Sequence, residues 1–194
     1  CIRNMTQTVN NPFFQSYNTP FVTPPFNEIK TEHYEPAFDK GIIQLEKEIQ
    51  EIAENKQPAT FENTIVALER SGKLLEKVSS AFFNVLNAEA DDEMMDISQR
   101  VSPKLSESSN NIFLNEKLFA RVKDVYEQKE QLNLSTEDAK LLEETFESFS
   151  IRGANLSPED KEKYRKLSTD LSVLTLTFDQ NALKDKNRYE LLLT

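Results

Sequence analysis

Few residues in this chain are of a type that does chemistry, so their spacing is the first thing to weigh. His33, in "KTEHYEP", is the sole histidine and Cys1 the sole cysteine among 194 residues. One of each cannot assemble the usual four-ligand zinc site from Cys and His, and a single cysteine excludes an internal disulfide. A di-iron helical bundle needs a glutamate three residues before each of two histidines, but Lys30 holds that place and no second histidine exists. A Ser-His-Asp arrangement would have to use His33, and no glycine-flanked nucleophile elbow accompanies it. His33 is therefore expected to pack or to hydrogen-bond at the start of a helix.

The remaining candidates are weaker. Paired carboxylates such as Glu143 with Glu144, or Asp91 with Asp92, are adjacent along a helix and do not face each other, and 33 acids produce such pairs by chance. Three widely spaced glycines cannot build a phosphate-cradling loop. Cys1 as an N-terminal nucleophile would sit at the end of a strand in a layered α/β fold, whereas the polar leader "IRNMTQTVNN" follows it here. The residues thus assign no catalytic and no metal-binding position, and they do not specify which side chains bind a substrate. Cys1 keeps one other role, as a candidate lipid anchor, because a mature bacterial lipoprotein begins on Cys with a polar run behind it. The alternative is that the chain merely begins there; either way, a start on Cys rather than Met implies residues lost upstream. Cytoplasm and cell envelope both stay open as locations.

Charge and composition narrow the class. With 23 Lys and Arg against 33 Asp and Glu, the net charge is −10, so a broad phosphate-binding face, and with it a nucleic-acid partner, is not expected. No run approaches the roughly 20 apolar residues of a membrane-spanning helix. A hydrophobic content of 38% can supply an ordinary core, and 29% charged residues with three glycines favour long regular elements over a turn-rich β-sandwich. The expected fold is all-α, a bundle of long antiparallel helices.

Stepping along the chain, residues 1–11 read as a flexible leader. Residues 12–30 read as an extended arm, since "PFFQSYNTPFVTPPFN" interleaves four prolines with five aromatics that should lie buried along the helices. Residues 31–194 read as the helical domain. A first helix is expected from about Glu35 to Asn55 with the stripe Ile42, Leu45, Ile49, Ile52. A second starts at Thr60 as N-cap and runs on through Phe61, Ile65, Leu68, Gly72, Leu75, Val78, Phe82 and Leu86. Gly72 falls within that apolar line and is expected to mark a close helix crossing. A third begins at Asp91 and meets Pro103, which either kinks or restarts it. Asn115 caps a fourth, Ser135 and Asp138 form the capping box of a fifth that Gly153 stops, and Ser157 caps a sixth. The sixth carries Tyr164, Leu167, Leu171, Leu174 and Phe178, spaced as in a long antiparallel or coiled-coil-like pair. Within it "VLTLTF", residues 173–178, alternates like a strand, but its flanks keep helical spacing and the helix is preferred.

Three segments carry a resemblance. "NPFF…YNTPFVTPPFNEIKTEHYEPAF", "TFENTIVALERSGKLLEKVSSAFFNVLNAEADDEM" and "VSPKLSESSNNIFLNEKLFARVKDVYEQ" follow one another as in the N-terminal region of the thimet oligopeptidase family of zinc metallopeptidases, and within it the bacterial peptidyl-dipeptidases. The likeness runs from about residue 11 to the end. It implies an enzyme that removes dipeptides from the C-termini of short peptides, with zinc held by an H-E-x-x-H helix and a later glutamate. None of those ligands has a counterpart here, so the resemblance carries no catalytic residue onto this chain and implies that the fragment alone is inactive. The chain stops at "NRYELLLT", where the family's sequence continues. The resemblance therefore implies an N-terminal piece that forms one wall of the substrate cleft, with the C-terminal catalytic part as its partner. The alternative is a stand-alone acidic helical interaction module without enzymatic activity.

Overall fold

Capping side chains decide where the helices begin, and five that the sequence marks do so. In the computed structural model, which describes residues 11–89 and 91–188, the side chains of Thr60, Asp91, Asn115 and Ser135 accept the backbone N–H groups of Asn63, Met94, Leu118 and Asp138. Ser157 Oγ likewise accepts from Asp160 N at 3.2 Å. Each such cap satisfies an otherwise orphaned donor and contributes about 1 kcal/mol. The helices are α1 (Tyr34–Ala53), a π-helical turn (Phe61–Val66) running into α2 (Ala67–Glu69), α3 (Lys73–Glu89), α4 (Asp92–Phe113), α5 (Glu116–Glu127), α6 (Thr136–Ile151) and α7 (Pro158–Arg188). Among the described residues there is no strand, so the all-α expectation holds, and "VLTLTF" lies within α7. Pro103 sits inside an uninterrupted α4. Packing on that helix outweighs the missing hydrogen bond.

Two apolar cores are strung along α1. Tyr34, Ala37 and Phe38 from its first half meet Phe13, Val78, Ala81, Phe82, Met94, Ile97 and Val101. Ile49, Ile52 and Ala53 from its second half meet Ile65, Leu118, Val122, Val125, Leu142 and Phe149. Phe82 is the hub of the first core, with Tyr34 at 5.0 Å and Phe38 at 5.3 Å in edge-to-face contact. Beside it, α1 and α4 run parallel in a fixed register, shown by the ion pairs Glu35–Arg100 and Asp39–Lys104. Arg100's hydrogen bond holds the Glu35 carboxyl below the ordinary carboxylate range.

Three expectations need correction. The helix read as continuous from Thr60 to Leu86 is broken at Gly72, whose φ of 71° lies in the left-handed region that terminates a helix rather than continuing it. Its N–H donates to Glu48 Oε2 at 2.8 Å, so α1 ties down the break. The close crossing exists, but at Gly41 of α1, where an added Cβ would stand 3.0 Å from the Leu75 Cα of α3. Secondly, the α7 stripe does not face its neighbour: Leu167, Leu171, Leu174 and Phe178 are exposed. Thirdly, the N-terminal arm buries only its first rings. Phe13 is enclosed and Phe14 and Tyr17 pack on the first core, while Phe21 and Phe26 stand exposed.

Candidate functional site

Where the sequence offered its few reactive side chains, the structure gives them local work. His33 Nδ1 accepts the Lys30 N–H at 3.0 Å, and its carbonyl accepts from Asn11 Nδ2 at 2.8 Å. Both contacts fasten the arm to the start of α1. Among the described residues no carboxylate or hydroxyl hydrogen-bonds to His33. Cys1 lies outside the described residues. Among those residues no three His, Cys, Asp or Glu side chains converge as a metal would need, so these side chains do not fit a zinc ion.

Cationic side chains, which the sequence did not single out, organise the chain's irregular parts. Lys77 of α3 donates to the carbonyls of Phe13 at 3.1 Å and Gln15 at 2.7 Å, with its ammonium 3.6 Å from the centre of the Tyr17 ring. Partial burial lowers the Lys77 pKa from its ordinary value. Burial, and then the nearby Tyr34, push Tyr17 up to about 12. Arg121 of α5 is buried and donates to Asn55 O, Gln57 O, Asn63 Oδ1 and Thr64 Oγ1 at 2.8, 2.9, 2.9 and 3.2 Å. It thereby fixes the link between α1 and the π-helical turn. The only advance signal was a basic residue at the spacing of an apolar stripe, between Leu118 and Val122 and one turn before Val125.

The surface between α3, α4 and α7 holds a groove of about 700 Å³, lined by Phe83, Leu86, Met95, Leu176, Gln180 and Asp179 among others. Its chemistry suits an apolar side chain beside an amide and a carboxylate; Asp179 is the one Asp, Glu, His or Cys among the described residues that line it. Gln180 is engaged from its buried end, donating to Met95 O at 3.2 Å and Ser98 Oγ at 3.0 Å and accepting from Gln99 Nε2 at 2.8 Å. Further along the same seam Asn110 and Ser168 exchange hydrogen bonds at 2.7 and 3.1 Å, and Arg165 donates to Asn111 Oδ1 at 2.8 Å. Lys161 is 9% exposed at its side chain and reaches Glu116 at 3.0 Å. This is the geometry of helices held in register, not of a reacting centre.

The described residues thus form an all-helical body whose polar side chains hold helices and links in place. No family model matches the chain. It is 42% identical over 176 residues to the dipeptidyl carboxypeptidase of Escherichia coli (strain K12), covering 91% of this chain and 26% of that protein. Oligopeptidase A of the same organism is 26% identical over 85% of this chain and 24% of its own length. The thimet-like oligopeptidase of Dictyostelium discoideum is 28% identical over 82% of this chain and 23% of its own length. The chain thus spans about a quarter of the length of the curated relatives it matches. It is a homologue of the N-terminal region of peptidases of the thimet oligopeptidase family. The comparisons lend no support to a stand-alone interaction module.

Proposed function

We propose that this chain is the non-catalytic helical part of a zinc-dependent peptidyl-dipeptidase, which removes C-terminal dipeptides from short peptides, and that it forms one wall of the substrate cleft. The observation that carries the reading is the 42% identity to a dipeptidyl carboxypeptidase across 91% of the chain. In this reading residues 12–30 brace the helices of residues 31–194, and zinc with its ligands and the water-activating glutamate belong to a C-terminal catalytic part. The reading predicts that the 194 residues alone are inactive.

Rigidity gives the wall its mechanical sense. Catalytic positioning is sensitive to displacements of about 1 Å, so a cleft wall must be stiff or move as one body. The backbone contact at Gly41 and the Arg121 clamp supply stiffness to the two cores strung along α1. The test is an assay of the polypeptide from the complete reading frame on short peptides with a free C-terminal carboxylate. Successive dipeptides should appear, and a zinc chelator should abolish their release. Release of single amino acids, cleavage only at internal bonds, or full activity in chelator overturns the reading.

A further inference from the structure

A 31-residue helix extends about 46 Å, and α7 meets α4 along one face only. The face it turns to α4 is polar: Arg165, Ser168 and Gln180 make hydrogen bonds to Asn111, Asn110 and Ser98. On the other side stand Leu167, Leu171, Leu174 and Phe178, 68%, 63%, 66% and 71% exposed, at successive spacings of four, three and four residues. From Leu171 to Phe178, "LSVLTLTF", the helix has no charged residue on any face. A helix face that stays in water is normally charged or polar. The uncharged run Val78–Ala88 in α3 is instead packed in the first core, with Val78, Ala81 and Phe82 buried.

We propose that this outer face of α7 is covered, in the mature enzyme, by an apolar helical surface of the polypeptide beyond these 194 residues. The proposal rests on the reading of the chain as part of a longer peptidase. About three quarters of the dipeptidyl carboxypeptidase's length lies outside the match, enough chain to supply such a surface. Pairing of α7 with a second copy of itself fits the residues less well. In two-stranded coiled coils the positions beside the seam carry Glu and Lys that choose the partner, whereas between Leu167 and Phe178 they are Ser168, Asp170, Thr175 and Thr177, one acid with no base to pair with it in a second copy. Flanks with so little charge suit a helix enclosed on several sides. Contiguous exposed apolar surface of this kind marks an interface.

The test places a thiol probe on the stripe. Leu174→Cys, and separately Leu167→Cys as a second position should the first not fold, are made in the full-length protein with Cys1→Ser. Each is labelled with a water-soluble maleimide and read by peptide mass spectrometry. Lys47→Cys, on α1 and away from the stripe, is the reference, its native side chain being 77% exposed. The stripe thiols should label at least about fifty times more slowly than the reference, independently of protein concentration. Equal labelling rates overturn the proposal. Protection that appears only at high concentration assigns the face to a second copy and overturns it too. Dipeptide release, measured on the same protein, separates the two readings. Protected thiols without peptidase activity keep the docking and remove the proposed function, and freely labelled thiols in an active dipeptidase do the reverse.

Discussion

The crossing of α1 with α3 and the seam between α4 and α7 are both antiparallel contacts between long helices, and they are built in opposite ways. At the first, Gly41 removes Cβ so that two backbones touch, and Phe38, Val78 and Phe82 fill the space beside them. At the second, Asn110, Ser168, Ser98 and Gln180 join the helices through hydrogen bonds while Leu167, Leu171 and Leu174 of α7 point away. Apolar burial stabilises by about 25 cal/mol per Å² whatever the register, whereas each hydrogen bond nets only about 1 kcal/mol but demands one alignment. The first contact therefore provides stability and the second provides alignment. α7 is held straight along α4 with its apolar face left for something else.

Breaking the first contact should have the largest effect. Gly41→Leu drives a side chain into the Leu75 backbone, which cannot rotate aside, and should cost about 3 kcal/mol or more, the upper end of overpacking effects. Urea unfolding followed by circular dichroism checks it; an unchanged midpoint means that the backbones are not in contact. Gly72→Ala comes next and is decided by its sign. In a continuous helix, replacing Gly by Ala stabilises by up to about 1 kcal/mol. At φ 71° the same change should destabilise by about 1 to 2 kcal/mol, and its Cβ would also press on Leu45 Cδ1 at 3.1 Å. A rise in melting temperature would restore the unbroken helix that the apolar spacing suggests.

The same contrast explains what was legible in the sequence. Caps were readable because their cause is local: Asp91, Asn115, Ser135 and Ser157 each satisfy a donor three residues on. Gly72 was misread because it occupies the right place in a period of three and four, and periodicity cannot tell a helical glycine from one at positive φ. Gly41 was overlooked because it lies beside α1's stripe, and its role depends on Leu75, thirty-four residues away. The spacing of Leu167, Leu171, Leu174 and Phe178 reads as an apolar seam, but spacing names no partner, and α4 meets the opposite face of the helix. Arg121 was hidden for a related reason, since its acceptors are mostly carbonyls and amides of a distant link, which leave no trace in residue type.

The smallest effect tests the second contact. Asn110 and Ser168 each donate to the other, so Ser168→Ala leaves the buried Asn110 amide without that partner and Asn110→Ala leaves the Ser168 hydroxyl only the Arg165 carbonyl at 3.1 Å, each at a cost of about 1 kcal/mol. Removing both deletes donors and acceptors together. The double variant should then be no less stable than either single one, and the double-mutant cycle should return a coupling near 1 kcal/mol. Single costs that simply add would mean that the pair exchanges no hydrogen bond in solution. In that case α7 would owe its alignment to Gln180 and Arg165 at the two ends of the seam, and Gln180→Ala, which removes the amide that joins Met95 O, Ser98 Oγ and Gln99, would become the more damaging change.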